Sequence, residues 1–221
     1  MIPPQANAQF VYHMEDVLEL YHQPYDGRYP TVCFDETSKQ LVRHSRVPWP
    51  TAPGQVARYD YQYARQGVRH LFMFFEPRRG WRQVEVTAHR TKVDWAHCRQ
   101  QLADEFYPDA VRIRVIQDQL NTHDPAALYE VFEPEKARQL LNRLEFHYTP
   151  KHGSWLNMAE IEFSVLSRQC LDQRIPDEPA LARGVGAWVE HRNLNETKLN
   201  WRFTTQDARI KLKKLYPSYH T

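Results

Sequence analysis

No stretch of this chain approaches the ~20 consecutive apolar residues that cross a bilayer. Its opening residues, MIPPQANAQF, are not the basic-then-apolar leader of a secreted protein. These absences imply a soluble, intracellular protein with no membrane partner. Cysteine is scarce: Cys33, Cys98 and Cys170 are odd in number and far apart, and no CxxC pair occurs. That argues against a disulfide scaffold or a cysteine-built zinc site and for reduced thiols in a cytosolic setting. Net charge is low as well, because 29 Lys+Arg against 27 Asp+Glu leave +2. Global charge therefore does not mark a nucleic-acid binder, and any such role must rest on local clusters. Internal repeats and low-complexity tracts are missing too. What remains is a chain of 221 residues with 42% hydrophobic and 13% aromatic content. That is enough for one sizeable α/β domain or two small ones.

Phe10, Met14, Val17, Leu18 and Tyr21 recur at helical spacing, so residues 8–21 read as an amphipathic helix that Pro24 and Pro30 end. A short β-rich run, TVCFDE (31–36), comes next, and the prolines of 43–62 read as an extended loop. HLFMFFEP (70–77) and WRQVEVTA (81–88) form two strands joined by a hairpin-length link, Arg78-Arg79-Gly80. Residues 92–107 read as a helix, 111–117 as a strand, 125–143 as helical, and LEFHYTP (144–150) as a fifth strand. Two helices follow, about 157–171 and about 179–192, the second capped by Asp177; residues 200–221 read as basic and irregular. A hairpin early and helical crossovers later imply an α/β fold: a mixed five-stranded sheet flanked by helices. The expected organisation is a helix and linker over 1–30, a core over 31–199 and a basic segment over 200–221.

The stretch VIQDQLNTHDP (115–125) places a carboxylate, Asp118, where an apolar strand ends. Asp35 ends the first strand in the same way. If those two strands are parallel neighbours, both acids reach one crevice at the carboxyl edge of the sheet. Two carboxylates that close repel unless a divalent cation sits between them, and hard oxygen donors suit Mg²⁺ or Mn²⁺. Glu160 is the candidate third ligand, because on a helix it shares a polar strip with Asn157, Ser164 and Ser167. Glu162 lies about 200° around the helix and cannot serve the same site. Each acid also has an ordinary reading: Asp118 can open the Asn121-Thr122 turn, and Glu160 can be a solvated helix residue. Spacing by itself does not choose between them.

The pieces VCFDE (32–36), DQLNTH (118–123), FHYTPKHGSWLNMAEIEFSVLSRQCL (146–171) and WRFTTQDARIKL (201–212) resemble the DDE superfamily of transposases, specifically bacterial insertion-sequence types related to mariner elements. The resemblance runs over nearly the whole chain in order, and its long third piece is highly specific. It implies a ribonuclease H-like fold and a D-D-E triad of Asp35, Asp118 and Glu160 that is both catalytic and metal-ligating. The implied cofactor is two Mg²⁺ ions, with Mn²⁺ able to substitute, and the implied reaction is nicking of DNA followed by strand transfer. The implied partners are double-stranded DNA (element ends, and target at TA sites) and a second copy of the chain as a homodimer. The implied location is the bacterial cytoplasm, at the nucleoid. One departure is Gln119, where many relatives carry Asn after the second acid. Another is that only one helix precedes the first strand, where such transposases usually carry helix-turn-helix modules. This suggests a truncated copy, the second frame of a split element, or an excised fragment.

Around the acids, His123 and His152 are candidate phosphate contacts, and Trp155 either stacks on a base or packs at a helix start. Arg209, Lys211, Lys213 and Lys214 form the densest basic cluster, with Arg78, Arg79, Arg82, Arg90 and Lys92 forming another. Both are candidates for neutralising DNA phosphates. A competing reading is an assembly remnant that binds DNA without cutting it, and retention of all three acids argues against it.

Overall fold

The computed structural model describes residues 6–45, 54 and 62–218. Two long strands form its spine. β1 (Thr31–His44) and β2 (Tyr63–Glu76) pair antiparallel, from Cys33 opposite Phe75 to His44 opposite Tyr63. β3 (Trp81–Thr87) returns along β2, while β4 (Ile113–Gln117) and β5 (Leu144–Tyr148) add in parallel on the other side of β1. The order is β3-β2-β1-β4-β5, the mixed five-stranded sheet implied by the sequence.

Both faces of the sheet are buried, and the two-residue period of a strand sorts its side chains between them. Cys33, Leu71, Met73, Phe75 and Ile116 face α1 (Ala8–His22), α5 (Met158–Leu166) and α6 (Glu178–Leu194). Val32, Phe34, Phe72, Phe74 and Val115 face α2 (Lys92–Gln101) and α4 (Pro134–Arg143). Each large apolar side chain fully withdrawn from water contributes ~1.5–3 kcal/mol, so these two layers dominate the fold's stability. Phe10, Met14, Val17 and Leu18 of α1 and Ala208 of α7 (Thr205–Lys211) belong to the first layer. The two ends of the described chain therefore share one core with the sheet. All three cysteines are buried and unpaired.

Several boundaries differ from the sequence reading, each for a physical reason. β1 does not stop at Glu36 but continues to His44, because its second half hydrogen-bonds to β2 across a shift between Gln40 and Val42. The loop expected over 43–62 thus begins and ends against strands, and its residues 46–53 and 55–61 lie outside the described residues. The helical stretch 125–143 is two helices, α3 (Ala127–Val131) and α4, because Pro134 lacks an N–H and starts a new helix instead of continuing one. The helices expected over 92–107 and 157–171 both finish in wider π-type turns, Leu102–Phe106 and Ser167–Leu171. Residues 200–221 are not irregular throughout: α7 starts on a reciprocal cap in which Thr204 and Asp207 bond each other's backbone N–H. As expected, Asp177 caps α6 through the Ala180 N–H. Among the described residues, no helix is long and apolar enough to cross a membrane.

One buried polar cluster ties α5 and α6 to the hairpin. Glu162 is fully buried and pairs with Arg82 (2.9 Å) and Arg192 (2.6 Å). Arg82, also fully buried, donates to the carbonyls of Gly80 (2.9 Å) and Thr197 (2.6 Å). Gly80 ends the β2–β3 turn at φ +71, where a Cβ would come within 2.6 Å of the Glu196 backbone. Only glycine meets both conditions.

Candidate active site

β1 and β4 are parallel neighbours with Cys33 opposite Ile116, and that register sets Asp35 and Asp118 at the same end of the paired segment. Asp35, two residues beyond Cys33 in β1, faces the side of the sheet covered by α5, and Asp118 lies two residues beyond Ile116 with its Oδ1 against His123. Asp118 follows directly on the last residue of β4, whereas Asp35 lies inside the long β1 and not at its end. Glu160 comes to this side from the first turn of α5. Asn157 places that turn. Its Oδ1 caps the helix by accepting from the Ala159 N–H (3.2 Å), and its Nδ2 donates to the Phe34 carbonyl (2.9 Å) and, at 3.4 Å, to Asp35 Oδ2. Tyr21 of α1 adds a second tie, donating to the Leu156 carbonyl (2.7 Å) with its hydroxyl 3.2 Å from Cys33 Sγ.

Asp35 is the electrostatic centre. Burial is the main reason its carboxyl rises from the usual range to about 8, and the charges of Glu160, Glu36 and Asp118 add to it. The Glu36 N–H, which donates to Asp35 Oδ1 at 2.8 Å, works the other way and is outweighed. A buried acid surrounded by further carboxylates is under strain that an added cation would relieve. The donor set consists of carboxylate oxygens, which fits Mg²⁺ or Mn²⁺ and not a soft metal. Among the described residues, no three His, Cys, Asp or Glu side chains are grouped closely enough to hold a metal ion as they stand.

Glu162 is not part of this group, since it is buried against Arg82 and Arg192 on another side of α5. His123, expected as a phosphate contact, is withdrawn from the surface at 2% exposure. Its Nδ1 lies 2.5 Å from Asp118 Oδ1 and its Nε2 lies 3.0 Å from Glu36 Oε2. Burial lowers its pKa, but these two carboxylates outweigh that and hold it up at about 9. Glu36 had drawn no notice in the sequence; its position directly after Asp35 was the signal available. Arg82 leaves the expected basic cluster for the buried pair with Glu162. Arg78, Arg79 and Arg90 are exposed, and Lys92 pairs with Glu130 at 2.8 Å. Arg209 pairs with Glu15 at 2.8 Å and Lys211 with Asp207 at 3.8 Å, leaving Lys213 and Lys214 as exposed cations beside them. His152 is exposed in left-handed backbone (φ 67) on the loop leading to α5. Trp155 packs on Trp201 and Phe203, as the packing reading expects. Gln119 reaches α1, with Nε2 2.9 Å from His13 Nε2.

Comparison with solved structures finds the same fold in the Mos1 mariner paired end complex with Mn. The TM-score is 0.60 at 13% identity, covering 99% of this chain and 66% of that one. A pre-cleavage Mos1 transpososome gives a TM-score of 0.56 at 12% identity, covering 100% of this chain and 66% of that one. A Mos1 strand transfer complex gives 0.55 at 13%, covering 89% and 61%. This chain thus spans about two thirds of the length of the Mos1 chains it matches. No curated protein sequence matches it. The sheet and its flanking helices are the ribonuclease H-like fold of those structures. The profile described as DDE superfamily endonuclease matches residues 30–182, from the residue before β1 into α6. With that match covering more than half of its length, the chain belongs to the DDE superfamily of endonucleases.

Proposed function

We propose that this chain is the catalytic unit of a transposase that nicks DNA at the ends of a mobile element and joins the freed 3′ end to target DNA. Asp35, Asp118 and Glu160 act in it as ligands for divalent cations. What supports the proposal is the register that sets β1 beside β4, with Asp35 and Asp118 each two residues past the paired Cys33 and Ile116, and the Asn157 bonds that tie the start of α5 to Phe34 and Asp35. Burial, with the charges of the neighbouring acids, pushes the Asp35 carboxyl up to about 8, a rise that an added cation would oppose. When bound, two Mg²⁺ or Mn²⁺ ions would activate water or a DNA 3′-hydroxyl and stabilise the leaving oxygen. Asp35, whose carboxyl feels the charges of both Glu160 and Asp118, would hold the cations together with them. Asn157 and the Glu36 N–H hold its carboxylate in place.

The similar Mos1 complex with Mn supports the choice of cation, and the Mos1 strand transfer complex supports DNA joining. Exposed Arg78, Arg79, His152, Lys211, Lys213 and Lys214 are proposed to meet the phosphates of double-stranded DNA. The resemblance to mariner-type transposases extends the proposal to TA target sites, a homodimer and action at the bacterial nucleoid. The test is a nicking and strand-transfer assay on labelled DNA with Mg²⁺ or Mn²⁺. Asp35→Ala, Asp118→Ala and Glu160→Ala are each expected to abolish product. Wild-type turnover by all three variants would end this reading.

A further inference from the structure

The imidazole of His123 sits between the two acidic motifs and touches both. Nδ1 lies 2.5 Å from Asp118 Oδ1, and Nε2 lies 3.0 Å from Glu36 Oε2. The His123 and Glu36 side chains are only 1% and 4% exposed, whereas that of Asp118 is 37% exposed. The ring itself cannot turn freely. It stacks on Trp95 (centroids 6.2 Å apart, planes 22°) and meets the Phe34 ring edge-on (5.8 Å, 70°). Its backbone is fixed as well. Gln117, the residue before Asp118, donates from Nε2 to the His123 carbonyl (3.1 Å) and accepts at Oε1 from the Trp95 indole (3.2 Å).

Glu36 has a double position. Its N–H donates to Asp35 Oδ1 at 2.8 Å, while its side chain reaches His123 and, through it, Asp118. A single residue thus links the first acid to the second. On Asp118, Oδ1 takes the His123 contact and a long bond from the Leu120 N–H (3.4 Å). Among the described residues, Oδ2 has no such partner.

We infer that His123 is a positioning residue for the second acid: anchored on Glu36, it holds Asp118 Oδ1 and turns Oδ2 toward the cation. This rests on the reading of Asp118 as a ligand. Groups that hold a ligating side chain in this way typically change metal affinity 10–100-fold when removed. A buried histidine kept only for packing would change stability instead.

The experiment is Mn²⁺ titration of the DNA-free chain, read by electron paramagnetic resonance, beside thermal melts of each variant. His123→Asn places an amide where Nδ1 lies and can keep the Asp118 contact; His123→Gln reaches the Nε2 position and keeps Glu36 instead. His123→Gln and His123→Ala are expected to weaken Mn²⁺ binding about tenfold or more, with His123→Asn staying close to wild type. Wild-type Mn²⁺ affinity in His123→Gln and His123→Ala overturns the inference. If the His123 variants lose their cooperative melt, Glu36→Gln decides, since it loosens the anchor and leaves the ring in place. Weaker Mn²⁺ binding by Glu36→Gln then supports the inference, and unchanged binding overturns it. Asp118→Asn separates the two layers: unchanged Mn²⁺ affinity there removes Asp118 as a ligand, whatever His123 does.

Discussion

Glu160 and Glu162 stand two positions apart on α5, and the structure gives them opposite fates. The Glu162 carboxylate is fully buried, with Arg192 Nε at 2.6 Å and Arg82 Nε at 2.9 Å on Oε1 and Arg192 Nη2 at 3.0 Å on Oε2. Glu162→Ala leaves the buried Arg82 guanidinium without its carboxylate, keeping only neutral partners: the Gly80 and Thr197 carbonyls, a long bond to Asn193 Oδ1 (3.4 Å) and the Phe75 ring. Removing one partner of a buried ion pair costs ~3–5 kcal/mol. In a domain of this size each kcal/mol moves Tm by ~2–4 °C, so the melt is expected to fall by ~6–20 °C. Arg192, 14% exposed, can recover some water, which favours the lower part of that range. Glu160 is exposed, and its replacement by alanine is expected to change stability by no more than ~0.5 kcal/mol. Any shift should be upward, because one of the charges bearing on Asp35 disappears. Circular-dichroism melts of both variants without metal, with nicking assayed well below either midpoint, separate the two roles. Glu162→Ala should melt early yet cut DNA while folded; Glu160→Ala should melt with the wild type and not cut. A Glu162→Ala protein as stable as the wild type refutes the buried-charge argument, and an equally destabilised Glu160→Ala would make Glu160 a structural residue.

Asn157→Ala removes both the α5 cap and the donor to the Phe34 carbonyl; a loss of ~1–3 kcal/mol in denaturant titration is expected. His147 of β5 lies 2.8 Å from Asp16 of α1, which raises its pKa above 6.5 although burial opposes this. A raised folded-state value means the contribution is complete below pH 6.5 and is lost as pH climbs through the folded value. The stability difference between wild type and His147→Gln, about 1 kcal/mol at low pH, should therefore shrink in alkaline melts, and a gap independent of pH would contradict it. Lys213→Ala with Lys214→Ala is expected to weaken DNA binding on all sequences alike and to lower the salt slope by about 2. An unchanged slope in filter-binding titrations would remove this pair from the DNA surface.

The local elements were written plainly in the residues. The apolar repeat of Phe10, Met14, Val17, Leu18 and Tyr21 placed α1 within a residue of its observed bounds, and Asp177 marked the start of α6. The capping signal of α7 was legible too, as Thr204 with Asp207 three residues on, although no apolar run drew attention to it. The far half of β1 was not legible. SKQLVRH carries little β signal of its own, and it is a strand because β2 runs beside it. Pairing across that distance depends on the rest of the sheet being formed.

The same division runs through the site. Three acids on two strand segments and a helix were readable from motif and order, and the choice of Glu160 over Glu162 followed from helical angle. The two-residue period places Asp35 and Glu36 on opposite faces of β1. It says nothing about what each face meets. That His123 is buried between Glu36 and Asp118, and that Arg82 leaves the basic surface to neutralise Glu162, was decided by tertiary packing. A charged side chain reads as polar wherever it stands in a sequence; it can be buried only if the folded chain brings an opposite charge to within a few ångströms.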